Sequence, residues 1–90
     1  MSVNGRTETI VRKLLGELAG FPHRQCSDNI LKSSVDLKIH PNALASEWLE
    51  AAQFAESQGW ILGVRPAMGP VKWFLTDPGL SEHLAAQRYE

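Results

Sequence analysis

Ninety residues, 43% of them hydrophobic, suffice for one domain with a single modest core and are too few for two. No apolar run approaches the ~18–20 residues that cross a bilayer, and the first fifteen residues lack the apolar stretch and small-residue cleavage site of a signal peptide, so a cytoplasmic protein without membrane contact is expected. The net charge of −1 is unevenly spread: residues 1–40 carry six basic against four acidic side chains, residues 41–60 carry Glu47, Glu50 and Glu56 with no Lys or Arg, and the rest balances. Cys26 is the single cysteine, which excludes an internal disulfide and fits a reducing compartment.

Residues 1–6 are polar with a glycine and are expected to form a flexible arm ahead of one domain over residues 7–86. A first helix follows from Thr7, where Ile10, Val11, Leu14, Leu15 and Leu18 recur at three and four while Glu8, Arg12, Lys13 and Glu17 take the other side. Gly20 and Pro22 stop it. Gly16, on its polar side, costs about 1 kcal/mol relative to Ala, and the sequence offers no reason for it.

Residues 21–26 are expected to be a connector. Ser27 with Asp28 behind it suits the start of a short second helix presenting Ile30, Leu31 and Val35. Val35, Leu37 and Ile39 also alternate with Asp36, Lys38 and His40, which is a half-buried strand pattern, so helix and strand remain open over residues 35–39; the cap at 27–28 favours the helix.

Pro41 suits a first helical position, and a third helix is expected from there to about Gln58, with Leu44, Trp48, Ala52 and Ala55 as its stripe. Ser46, Glu47, Glu50, Gln53, Phe54 and Ser57 fall opposite that stripe, where Phe54 is out of place. After Gly59, Trp60, Ile61, Leu62 and Val64 form one strand, and Val71, Trp73 and Leu75 alternate in the next; Pro66, Gly69 and Pro70 punctuate a hairpin of about five loop residues. Thr76 or Asp77 caps a short last helix with Pro78 in its first turn, docked through Leu80 and Leu84, and residues 87–90 are expected to fray. The expected core is Ile10, Leu14, Leu18, Leu31, Leu44, Trp48, Leu49, Ala52, Ile61, Trp73 and Leu75. A hairpin closing over three helices requires Trp48 and Trp73 to lie close together.

Helix, short helix, turn, helix and hairpin, in that order, resemble a winged helix-turn-helix domain. Leu37-Lys38-Ile39-His40-Pro41 looks like the inter-helix turn, Gly59-Trp60-Ile61 like the end of a recognition helix entering its first wing strand, and Trp73-Phe74-Leu75-Thr76 with Gly79 like the aromatic-x-Leu-Thr…Gly ending after the wing. The resemblance spans roughly residues 7–84. It implies an α+β fold of three main helices, a two-stranded β-hairpin wing and a short C-terminal helix, and it implies a small DNA-binding, transcription-regulator-like protein. Two departures are a third helix about one turn longer than usual and Lys38 where the turn often has Gly.

Duplex DNA is held largely through its phosphates, so a binding face needs Lys or Arg. Lys38, Asn42, Ser46, Gln53, Arg65 and Lys72 are the candidate contacts: neutral side chains on the third helix to base edges, cations on the turn and the wing to the backbone. Arg12, Lys13, Arg24 and Lys32 can add to them from the first two helices, or all of these are ordinary solvated charges. Three carboxylates on the third helix work against this reading. The alternative is a protein partner or homodimer docking on Glu47, Glu50 and Phe54, an aromatic anchor with an acidic rim, unless Phe54 tucks under the wing. His23 and Cys26 are suggestively spaced, but with His40 and His83 they do not form a zinc set, and a Cys-His nucleophile would lack an orienting third group. No phosphate loop, dinucleotide fingerprint or other small-molecule site is recognisable, so neither cofactor nor enzymatic activity is expected.

Overall fold

The structure, a computed structural model, describes residues 5–87. Helix α1 (Gly5–Gly20) leads through a 3-10 turn (Pro22–Arg24) to strand β1 (Gln25–Ser27), followed by α2 (Asp28–Asp36), α3 (Ala45–Ser57), β2 (Ile61–Val64), β3 (Lys72–Leu75) and α4 (Asp77–Gln87). Among the described residues the fold is thus α+β, four α-helices with a three-stranded antiparallel sheet in the order β1-β3-β2. None of those helices is long and apolar enough to cross a membrane.

Helix α1 is the central support. Its stripe of Ile10, Val11, Leu14, Leu15 and Leu18 is buried, and α2, α3 and α4 all pack on it. The helix begins at Gly5, so Gly5 and Arg6 belong to it and not to an arm; residues 1–4 of the expected arm lie outside the described residues. Gly16 now has a reason. A Cβ there would stand 3.2 Å from Cε1 of His83, so the missing side chain is what lets α4 lie close against α1.

Strand β1 was not expected. Three residues are too short to show alternation, and the strand exists because β3 has a second edge to pair: Cys26 aligns with Trp73 on one side of β3 as Gly63 does on the other. The hairpin is accordingly one part of a larger sheet. Over residues 35–39 the helix prevails as far as Asp36, after which Ile39 and Ala43 are the buried residues of the segment leading to α3.

Helix α3 starts at Ala45, four residues later than the Pro41 start. The backbone before it is captured by other partners. The Arg6 guanidinium donates to the Pro41 carbonyl, Asp36 Oδ1 accepts the Ala43 N–H at 3.1 Å, and Glu47 Oε1 accepts the Leu44 N–H at 2.9 Å. That last bond is half of a capping box, a carboxylate three residues into the helix satisfying the capping residue's amide.

With this start the buried phase of α3 is Trp48, Ala51, Ala52 and Ala55. Three alanines give a smooth face that lets α1 approach. Leu44 (66% exposed) and Leu49 (57%) therefore leave the expected core, and Leu75 is only partly buried, while Ile10, Leu14, Leu18, Leu31, Trp48, Ala52, Ile61 and Trp73 are buried as expected.

Thr76 caps α4: its Oγ1 accepts the Gly79 N–H at 3.0 Å and donates to the Gly59 carbonyl at 2.6 Å. Gly79 is pressed onto the chain before β2, where a Cβ would stand 2.0 Å from the Trp60 carbonyl oxygen. The helix docks through this glycine and His83, whereas Leu84 is 49% exposed and does not dock as expected. Gln87 closes α4, and residues 88–90 of the expected tail lie outside the described residues.

Candidate nucleic-acid interface

The outward face of α3 is set by one half-buried link. The indole N–H groups of Trp48 on α3 and Trp73 on β3 both donate to Oδ1 of Asp28, the first residue of α2, each at 2.8 Å. A carboxylate oxygen has two lone pairs, so one atom satisfies two buried donors and ties three elements together. With Trp48 fixed inward, Ser46, Leu49, Glu50, Gln53 and Ser57 face solvent. Sequence reasoning assigned Asp28 only to the helix start, because nothing local connects residue 28 with residues 48 and 73.

The candidate contacts separate into four groups. Ser46 and Gln53 are exposed on α3 seven residues apart, about two turns or ~10 Å. Lys38 is exposed on the segment between α2 and α3, and Lys72 is exposed at the start of β3; neither has an ion-pair partner among the described residues. Asn42 is exposed but precedes α3, so it cannot act from the helix as expected.

Arg65 differs from all of these. Its Nη2 lies 3.0 Å from Oε1 of Glu56 and its Nη1 3.2 Å from Oε2, a two-pronged pair, and its Cζ sits 5.7 Å from the centroid of the Trp73 ring. The hydrogen bond from Arg65 holds the Glu56 carboxyl below its usual range, with the backbone N–H of Gly63 adding to the effect, and the same bond raises Arg65. Arg65 is a cation already in use.

The alternative set changes more. Phe54 is half-buried and meets Trp60 edge-to-face, with ring centroids 5.8 Å apart and planes at 78°, so it is not the outward anchor that a helical wheel makes it. Phe54 and Trp60, with Val11, Leu15 and His83, line an open cleft of about 820 Å³ beside α1 and α4. Glu47 is pulled below the ordinary carboxylate range first by the Leu44 N–H and then by Arg6, whose Nε is 3.4 Å away. Among the three carboxylates of α3, Glu50 alone has no cation partner among the described residues, and it faces solvent.

Two further cations are occupied, Arg12 by Glu8 at 2.6 Å and Lys32 by Asp36 at 2.8 Å, while Lys13 and Arg24 are exposed without an ion pair among the described residues. Burial raises the Cys26 thiol, and no three His, Cys, Asp or Glu side chains among the described residues converge as a metal site would require. Exposed apolar side chains stand at Ile30, Leu37, Leu44 and Leu49 around α2 and α3, and at Leu62, Val64 and Met68 on the hairpin. Comparison of the chain with protein-family models, with curated proteins and with solved structures finds no match.

Proposed function

We propose that this chain is a winged-helix domain that binds duplex DNA in the manner of a small transcription regulator, with α3 as the recognition helix and the β2–β3 hairpin as the wing. The observation that carries the reading is the neutralisation of α3. Glu47 and Glu56 are matched by Arg6 and Arg65, leaving one unmatched carboxylate between Ser46 and Gln53 on the face that would meet base edges. Cations without an ion pair among the described residues stand on the turn before that helix, at Lys38, and on the wing after it, at Lys72. Ser46 and Gln53 suit base-edge hydrogen bonds, and Leu49 between them suits a thymine methyl.

With so few free cations the electrostatic footprint is small. Titrating fluorescent random duplex at low ionic strength should give binding whose log K falls with log salt at a slope of roughly −2 to −4, equivalent to two to four phosphates. Replacing Lys38 and Lys72 by Ala should flatten that slope by about 2. Absence of binding at low salt would remove the reading.

A second reading, contact with a protein, is favoured by one observation: Ile30, Leu37, Leu44 and Leu49 are all exposed on the elements that would face the DNA. Its anchor is Leu49 beside Glu50 instead of Phe54. In the titrated samples it corresponds to self-association or partner capture that Leu49→Ala abolishes while DNA binding is absent.

A further inference from the structure

Arg6 and Arg65 both spend their charge on carboxylates of α3, and of the two Arg65 stands on the wing and is the more exposed, 57% against 28%. Its guanidinium is backed by the Trp73 ring and open on one side, with the Arg65 side chain 57% exposed and Glu56 29%. Guanidinium matches carboxylate and phosphate with the same planar fork, so a phosphate would compete for the donors that Glu56 now occupies.

The Glu56–Arg65 pair is seated over Gly63 on β2. A Cβ at Gly63 would stand 3.0 Å from both Glu56 Oε2 and Arg65 Nη1 and 2.6 Å from Trp73 Cζ3. The glycine therefore leaves the space in which the pair and the indole fit.

We infer that Glu56 is a built-in competitor for phosphate at Arg65, a brake that holds the wing arginine out of the DNA contact until the carboxylate is neutralised or displaced. The inference rests on the nucleic-acid reading and deepens it. While Glu56 is charged, Arg65 contributes almost nothing to the count of neutralised phosphates; once Glu56 is uncharged, it contributes one.

The test is Glu56→Gln, which removes the charge at nearly unchanged side-chain size, with thermal melts to verify that the fold is intact. Glu56→Gln should bind random duplex several-fold to about tenfold more tightly at low salt, with a salt slope steeper by about 0.9. Arg65→Ala should leave the slope of the wild-type protein nearly unchanged but abolish the gain in the Glu56→Gln background. That dependence separates a released arginine from the general benefit of deleting a negative charge. If the wild-type protein binds DNA and Glu56→Gln has the same slope, or if Arg65→Ala alone flattens the wild-type slope by about 0.9, the brake is refuted while the DNA reading stands. If neither wild type nor Glu56→Gln binds, both are refuted.

Discussion

At the scale of single residues, Asp28 carries more of the structure than its position at a helix start implies. Trp48 and Trp73 are 5% and 4% exposed, so removal of Oδ1 takes from two largely buried indoles the one acceptor they share. A buried donor left unsatisfied costs about 1–3 kcal/mol, so Asp28→Ala should destabilise the fold by roughly 2–5 kcal/mol. Asp28→Asn keeps an oxygen in place and should cost less. Urea unfolding followed by tryptophan fluorescence measures both; equal midpoints for Asp28→Ala and wild type would mean that the shared acceptor contributes nothing.

The elements show how tertiary contact overrides local preference. Ala is about 1 kcal/mol better than Gly inside a helix, so propensity alone favours Gly79→Ala in α4. Packing reverses the sign. The added Cβ would lie 2.0 Å from the Trp60 carbonyl oxygen, a backbone atom that cannot swing aside, and 2.9 Å from Leu75 Cδ1. Gly79→Ala should therefore lower the melting temperature, by at least the 4–8 °C that about 1 kcal/mol represents in a domain of this size. An unchanged or raised melting temperature would show that α4 is free to lift from the sheet. Together Thr76 and Gly79 give a physical meaning to the Thr…Gly ending: the hydroxyl caps the helix, and the glycine lets it lie against the chain.

Across the whole molecule, the carboxylates of Asp36, Glu47 and Glu56 are all held below their ordinary values. Burial works against this at Asp36, where hydrogen bonds from Lys32 and the Ala43 N–H outweigh it; the Leu44 N–H leads at Glu47 and Arg65 at Glu56. A depressed folded value means that, on acidification, the unfolded chain takes up protons first. Stability from these groups is therefore complete above about pH 5 and lost as the pH falls through about 4 toward the folded values. Urea midpoints should be level from neutral pH to about 5 and decline below that; a midpoint that rises on acidification would contradict the three pairings. Under the proposed brake, the loss of the Glu56 charge falls in the same acid range.

The periodicity of residues 7–20, the alternation around Trp73 and the stops at Gly20 and Gly59 determined four helices and a hairpin, because those signals are local: each depends on neighbours within a turn or a strand. The start of α3, strand β1, the inward turn of Phe54 and the rotation of α3 about Trp48 were decided only in three dimensions. Each depends on a partner outside its own element, Arg6 for the segment before α3, Trp73 for β1 and Asp28 for Trp48, all far along the chain, and Trp60, just beyond the helix end, for Phe54. The same holds for the charge of the candidate interface. The sequence counts three carboxylates on α3, but which of them remain uncompensated depends on where Arg6 and Arg65 come to rest, and only the folded chain brings those pairs together.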